Sequence, residues 1–332
     1  MSVAEDQLQR AVDRLRAGGL VAFPTETVYG LGADASRDDA VRRVFDVKGR
    51  PGNNPLIVHV SDEEMARRVA GAWPAEASKL ARAFWPGPLS IVVPRSARVS
   101  GLACAGGPTV ALRCPRHPLA RGLIAMFGAP IVGPSANRSG SISPTRAEHV
   151  RTAFSEEQVL TLDGGPCEGG IESTVVALDS RGVRVLRLGL ISAEEISRVL
   201  GVEVEKGGPA AEGDGPLASP GLLARHYAPT TPATLLPRAK LLVRARALVR
   251  QGRTPILILL GERTTPGAVT IAMPAEAQAY AAALYGALHR ADAVGQRGET
   301  GKHAQILIER PESAGPIWDA IRDRLTRATT AR

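Results

Sequence analysis

Cysteine is scarce in this chain of 332 residues, with only Cys104, Cys114 and Cys167. No two of them have C-x-x-C spacing, and an odd number of thiols without a leader argues against a disulfide framework. Free, partly buried thiols are the expectation. Aromatic residues are also few, at 4%. The stacking platform that single-stranded RNA needs is therefore not visible. No block of five or six Lys/Arg occurs, so direct RNA binding is expected to be weak and secondary at most. No apolar run approaches the roughly 18–20 residues that span a bilayer, so no membrane partner is expected. The N-terminus, Met-Ser-Val-Ala-Glu-Asp, lacks a basic stretch followed by an apolar one. It does not read as a secretory signal, and the expected compartment is the cytoplasm. Several catalytic motifs are missing too. There is no G-x-G-x-x-G after a strand, no H-E-x-x-H and no G-x-S-x-G. The run at 298–303 (GETGKH) lacks the spaced first glycine and the final Ser/Thr of a P-loop. A P-loop ATPase, a nicotinamide dehydrogenase, a zincin and an α/β-hydrolase with a nucleophile elbow all lose support.

What is present is ordinary globular composition, 44% hydrophobic and 22% charged. The length favours two domains or one large one. The formal net charge of +8 comes nearly all from arginine. It fits a polyanionic partner or a nucleotide pocket beside a solvated basic surface.

Helical spacing marks residues 4–17, ended by Gly18-Gly19, then 38–48, 62–83 (with Pro74 as an interruption or new start), 117–127 and 192–200. In the last of these, Ser192 and Glu195 are spaced as a capping box. Short apolar runs at 20–23, 56–60, 90–94, 109–113, 130–133, 159–163, 173–178 and 183–187 read as strands. Because helices and strands do not alternate strictly, a mixed sheet is expected. Residues 203–221 are dense in Gly, Pro and Ala and read as a linker. Beyond it, helices at 239–251, 275–293 and 317–326 alternate with strands at 255–260 and 305–309, the pattern of a small parallel α/β domain. The expected division is 1–202, a linker region 203–232, and 233–332.

Four polar segments sit at strand ends. FPTETVYGLG (23–32) offers two threonines, a glutamate and free backbone N–H groups, which suit a small polar or anionic ligand and equally suit a tight turn. KGRPGNNP (48–55) places Lys48 and Arg50 on one irregular segment. They form a phosphate clamp or a solvated basic loop. His59 in the following strand fits a satisfied core histidine. GPSANRSGSISPT (133–145) is crowded with hydroxyl and amide donors, and could also be a flexible loop. DGGP…GGIESTVV (163–176) brings Ser173 to the start of a strand, with Arg187 at the end of the next.

Together the runs FPTETVYGLG, KGRPGNNPLIVHV, PGPLSIVV, TVALRCPRHP, GPSANRSGSISPT, DGGPCEGGIESTVV and SPGLLARHYAP resemble the threonylcarbamoyl-AMP synthase family, in its order, across roughly residues 8–232. The tail resembles that family's smaller second domain. The resemblance implies a YrdC-type α/β fold, a twisted mixed sheet with a concave basic cavity, plus a smaller Rossmann-like parallel α/β domain at the C-terminus. It implies that ATP, L-threonine and bicarbonate (or CO2) give threonylcarbamoyl-AMP and pyrophosphate. Mg2+ is expected on the ATP, with no metal held by the protein, and the product passes to a tRNA-modifying complex. Carried over by position, Lys48 and Arg50 are the catalytic candidates. Thr27, His59, Arg113, Gly133 and Ser173 would hold threonine, with Arg113 on its carboxylate. Lys48, Arg50, Asn54, Thr109, Ser135, Asn137, Ser143 and Arg187 would surround the nucleotide. His226 and Tyr227, in the linker region, would fold back over the cavity. The chain departs from the pattern at Leu188, where a proline is expected after Arg187, and at 313–317 (SAGPI), where a Gly-rich turn is typical.

Two rival readings are a carbamoyl-adenylate enzyme with another acceptor, which would usually carry further catalytic domains, and a non-catalytic RNA-binding module. The second would explain the charge but not a threonine-sized pocket at Thr27, Arg113 and Ser173.

Overall fold

The computed structural model describes residues 3–206, 225–261, 264–297 and 304–330. They divide into two units, and the division is not a single cut. The first unit holds Met1–Ser139, Pro144–Glu168 and Glu172–Leu222; the second holds Gly140–Ser143, Gly169–Ile171 and Leu223–Arg332. Two short pieces of the polar loops thus group with the C-terminal third. From 207 onward the expected linker lies outside the described residues, as does the 298–303 run. The described start of that linker is not irregular: residues 205–206 add an edge strand.

The elements of the first unit are α1 (Val3–Arg16), β1 (Leu20–Phe23), β2 (Gly30–Asp34), α2 (Asp38–Lys48), β3 (Ile57–His59), α3 (Glu63–Val69), α4 (Ala75–Phe84), β4 (Leu89–Pro94), β5 (Thr109–Arg113), α5 (Pro118–Phe127), β6 (Ile131–Val132), α6 (Ala147–Ala153), β7 (Val159–Thr161), β8 (Thr174–Asp179), β9 (Gly182–Arg187), α7 (Ala193–Leu200) and β10 (Glu205–Lys206). Among the described residues the strands form one ten-stranded sheet in the order β10-β9-β8-β4-β5-β3-β6-β2-β1-β7. Its pairings are mixed, parallel at β3–β5, β4–β8 and β1–β7 and antiparallel at β4–β5, β8–β9 and β1–β2. The expected mixed sheet is what the chain forms.

One expectation is resolved, Pro74 marking a new start, and one changes in detail. The stretch 62–83 is two helices, α3 capped by the Asp62 carboxylate on the Met65 N–H and α4 starting after Pro74. Residues 30–34 (GLGAD) are a strand although their composition reads as a turn. Gly30 pairs with Phe23 across β1–β2, and a Cβ at Gly30 would sit 2.7 Å from the Phe23 ring. The aromatic ring fills the space two side chains would share, so glycine is what lets the strand form.

Period two along the strands separates the two faces of the sheet. Val58, Leu112, Ile91 and Val176 join the main hydrophobic core with helix residues such as Leu15, Val41, Leu80 and Leu123. Ile57, Ala111, Val92 and Val175 form a smaller apolar cluster apart from it. Two positions along from each of these, on the same face, stand His59, Arg113, Ser90 and Ser173. The sheet therefore delivers a cation, an imidazole and two hydroxyls to the face opposite its main core.

The second unit contains β11 (Ala233–Leu236), α8 (Arg238–Arg250), β12 (Ile256–Leu260), β13 (Val269–Met273), α9 (Ala277–Gln296), β14 (Ile306–Glu309) and α10 (Pro316–Thr329). Its sheet, β11-β14-β12-β13, is parallel throughout, as the expected Rossmann-like domain requires. β11 and β13 were not legible as strands. Four of the five residues of β13 are only half-buried or exposed, so its sequence lacks the apolar run that marks β12 and β14. Buried Asp292 on α9 accepts from the N–H groups of Thr230 and Thr231 at 3.0 and 2.8 Å, fixing the chain just ahead of β11. Among the described residues no helix is long and apolar enough to cross a membrane.

Candidate active site

Helix α2 ends at Lys48 because Gly49 adopts a left-handed φ of 62°, which a side chain disfavours. The Arg50 N–H then bonds back to Phe45 O at 3.0 Å. This cap puts Lys48 and Arg50 on either side of a reversal. Lys48 Nζ donates to the carbonyls of Ser135 and Asn137, each at 2.6 Å, while the Ser139 N–H donates to Lys48 O at 2.8 Å. The loop 135–139 is wrapped around a lysine that is only 3% exposed. No carboxylate pairs with Lys48 among the described residues. Burial first, then the charges of Arg50 and Arg138, hold its ammonium well below the ordinary lysine range. Arg50 donates from Nε and Nη2 to Asn54 O and Oδ1 at 3.0 and 2.6 Å, and from Nη2 to Pro55 O at 2.8 Å. The buried Asn54 Nδ2 has no acceptor among the described residues.

The turn after β1 is built on Thr25. Its Oγ1 accepts from the N–H groups of Thr27 and Val28 and donates to Val28 O at 2.6 Å. With that proton used, the 2.9 Å contact between the Thr25 and Thr27 hydroxyls is donated by Thr27. Thr27 Oγ1 in turn accepts from Arg113 Nη2 at 2.9 Å. The same Nη2 donates to Glu26 Oε1 at 2.8 Å, and the Arg113 Nε donates to Gly87 O at 3.3 Å. Glu26 Oε2 accepts from the Arg116 N–H at 2.9 Å. Glu26 and Arg113 are a buried ion pair, 3% and 4% exposed. Burial pushes the Glu26 carboxyl up, but the Arg113 charge and hydrogen bond and the Arg116 N–H outweigh it, leaving it below the ordinary carboxylate range.

His59 is the register partner of Arg113 across β3–β5. Its ring meets Phe23 edge-on at 5.4 Å, and its buried Nδ1 has no hydrogen-bond partner among the described residues. Burial and the Arg113 charge hold it well below the ordinary histidine range, so the ring is neutral at pH 7. Gly133 follows β6, and its N–H donates to Ile57 O at 2.8 Å. A Cβ there would lie 2.6 Å from His59 Nδ1, so glycine is what the imidazole's position requires. On the other side, Ser173 shares a 2.9 Å hydrogen bond with Ser90, and Arg187 donates to Ser173 Oγ and O, both at 3.0 Å.

The first unit therefore joins Thr27, Arg113, His59 and Gly133 by direct contact or register, links Gly133 through its loop to Ser135, Asn137 and Lys48, and ties Ser173 to Arg187. Thr109 is exposed at the far end of β5, about 13 Å along the strand from Arg113. Ser143, His226 and Tyr227 belong to the second unit. There, His289 Nε2 lies 3.1 Å from Ser143 O. Tyr227 takes a left-handed φ of 64° and packs on Tyr285 and His226, with the Arg324 guanidinium over its ring. Glu26 and Ser90 received no role from the sequence. A single carboxylate in FPTETVYGLG and a lone serine within LSIVVP were their only signals.

All three thiols are free and buried. Burial pushes Cys104 and Cys114 up to about 11 and Cys167 up to about 12. Among the described residues no group of three His, Cys, Asp or Glu is placed to hold a metal ion. The arrangement suits anion binding and the orientation of a small polar molecule.

Residues 13–189 match a family profile described as "Telomere recombination", that of the Sua5, YciO and YrdC proteins, and residues 191–330 match "Threonylcarbamoyl-AMP synthase, C-terminal domain". Curated proteins named threonylcarbamoyl-AMP synthase align at 44% identity. The one from Bacillus subtilis covers 71% of this chain and 68% of its own length, and the one from Pyrococcus abyssi 69% and 67%. The crystal structure of P. abyssi Sua5 complexed with L-threonine superposes with a TM-score of 0.87 at 36% identity, over 97% of this chain and 94% of that one. This is an α/β protein of the two-domain Sua5 type. The chain belongs to the threonylcarbamoyl-AMP synthase family.

Proposed function

We propose that the chain is an L-threonylcarbamoyladenylate synthase. The observation that carries this reading is its match, over nearly its whole length, to a Sua5 structure that holds L-threonine. The site chemistry agrees with it. In the reaction the α-amine of threonine adds to CO2, forming an N–C bond and releasing a proton. A carbamate oxygen then attacks the α-phosphorus of ATP, and the bond to the β-phosphate oxygen breaks as pyrophosphate leaves. No protein nucleophile is consumed, which fits a site without a reactive thiol.

On this reading Lys48 and Arg50 bind the phosphates and neutralise charge that builds up as pyrophosphate departs. Among the described residues no carboxylate pairs with Lys48, so an incoming phosphate is its natural counter-ion. Asn54, Ser135, Asn137 and Arg187 are nucleotide contacts, with Thr109, Ser143, His226 and Tyr227 as further candidates. Thr27, His59, Arg113, Gly133 and Ser173 orient threonine so that its amine is the reacting end. Among the described residues no group of three His, Cys, Asp or Glu is placed to cage magnesium. Magnesium therefore enters as the counter-ion of ATP, part of the substrate. The product is a mixed anhydride suited to transfer of its threonylcarbamoyl group by a tRNA-modifying complex.

Mass spectrometry of a reaction containing ATP, magnesium, bicarbonate and L-threonine tests the proposal. The expected product has the mass of AMP joined to N-carboxythreonine with loss of water, and carries the isotope label of 13C-bicarbonate. An AMP adduct lacking the label, or carrying the amino acid without the added carbon, would overturn it.

A further inference from the structure

Arg113 has five N–H groups to offer a carboxylate, and the fold has already used three. The single Nε proton goes to Gly87 O, and the two Nη2 protons go to Glu26 Oε1 and Thr27 Oγ1. Nη1 is the one nitrogen of the guanidinium with no acceptor among the described residues. An arginine that binds a carboxylate through its fork needs two adjacent nitrogens free. This one has a single nitrogen left.

Glu26 decides which nitrogen that is. Its two oxygens are committed to different donors, Oε1 to Arg113 Nη2 and Oε2 to the Arg116 N–H. The backbone bond locks the carboxylate, and the locked carboxylate locks the guanidinium. We infer that Glu26 is the positioning residue for Arg113, and that by occupying Nη2 it restricts recognition of the amino-acid carboxylate to Nη1. This rests on the synthase reading above and adds a residue to it. Thr27 completes the arrangement, since its hydroxyl accepts from Nη2 and donates onward to Thr25. A glutamine at position 26 has one acceptor and one donor and cannot satisfy both N–H groups. Its NH2 would face either the guanidinium or the Arg116 amide. An aspartate keeps the charge but is one methylene too short to hold both donors at once.

The test is steady-state pyrophosphate release by the full chain and by Glu26→Gln and Glu26→Asp, with melting curves for all three. In Glu26→Gln the threonine KM is expected to rise at least tenfold, with kcat within threefold and the ATP KM within twofold of wild type. Glu26→Asp should recover part of the loss. A merely structural role would move the ATP KM in parallel or leave no split between KM and kcat, and either outcome would overturn the inference. A lowered threonine KM would also overturn it, showing that Glu26 competes with substrate. If Glu26→Gln does not fold, nitrogen NMR of the wild-type arginine side chains decides. L-Threonine should shift the Arg113 Nη1 signals and leave Nη2 in place, whereas equal shifts at both would refute single-nitrogen recognition. If wild type shows no threonine-dependent release but threonine still shifts Nη1 alone, the synthase reading fails and the inference stands, whereas no threonine-induced shift at Arg113 overturns the inference as well.

Discussion

Replacing Gly133 by alanine tests whether the imidazole of His59 is held where the proposed threonine pocket needs it. The added methyl would lie 2.6 Å from His59 Nδ1, 2.7 Å from its Cε1 and 2.9 Å from Phe23 Cζ. The backbone has little freedom to retreat, because the Gly133 N–H is bonded to Ile57 O and Pro134 O accepts from the Leu31 N–H. Both rings are fully buried and packed on each other. The strain should fall on His59, and overpacking of this kind costs about 1–3 kcal/mol. Spread over the fold, that lowers the melting temperature by about 2–12 °C, at about 2–4 °C per kcal/mol for a domain of this size. Expressed in substrate binding, it raises the threonine KM by about 5- to 150-fold, at about 1.4 kcal/mol per tenfold. Differential scanning calorimetry and threonine-dependent pyrophosphate release measure the two. A double-mutant cycle with His59→Ala isolates the cause. Removing the ring should relieve most of the destabilisation, so the effects should be strongly non-additive. A Gly133→Ala protein that melts within 1 °C of wild type with an unchanged threonine KM would refute the packing, and additive effects would refute His59 as the group displaced.

Three further outcomes follow from the same structure. His59 is neutral in the fold because its folded pKa lies well below its unfolded value of 6.5. The unfolded chain therefore binds the extra proton, so stability should fall as pH drops below about 6.5 and recover above it, and His59→Gln should flatten that slope in melting curves between pH 5 and 7.5. Lys48→Met removes a buried cation together with the donor to two carbonyls. Stability should change by less than about 2 kcal/mol, while pyrophosphate release should fall by about two to three orders of magnitude; a large loss of stability with intact turnover would contradict the assignment. In the second unit, Asp292→Ala strips the acceptor from two backbone amides and should destabilise it by about 1–3 kcal/mol, with faster hydrogen exchange at Thr230 and Thr231 as the local signature.

Much of the fold could be read from the chain because local rules agreed with the outcome. Ser192 and Glu195 form the capping box their spacing predicts, with reciprocal bonds of 3.1 and 2.8 Å. The buried strands β4, β5 and β12 announce themselves as apolar runs. The misses have physical causes. β2 carries two glycines, Gly30 and Gly32, whose missing side chains are replaced by Phe23 from the neighbouring strand, a partner that no local pattern reveals. β13 is a half-buried edge with little apolar signal. The site divides in the same way. Hydroxyls and cations at strand ends marked Thr27, Lys48, Arg50 and Ser173 as candidates. The pairing of Glu26 with Arg113 joins residues far apart in sequence and depends on β5 reaching the turn after β1, so the sequence could offer the two residues but not their contact. His59 was expected either as a core histidine or as a threonine contact. Burial against Phe23 and register with Arg113 make it a buried ring beside the candidate threonine pocket.

The central claim is most directly tested by pyrophosphate release from ATP and magnesium, measured with and without bicarbonate and with threonine, serine or glycine, in wild type and Arg50→Ala. The account predicts release that requires bicarbonate and threonine together, is weaker with serine and glycine, and collapses in Arg50→Ala. Release that ignores the amino acid, or that survives loss of Arg50, would contradict it.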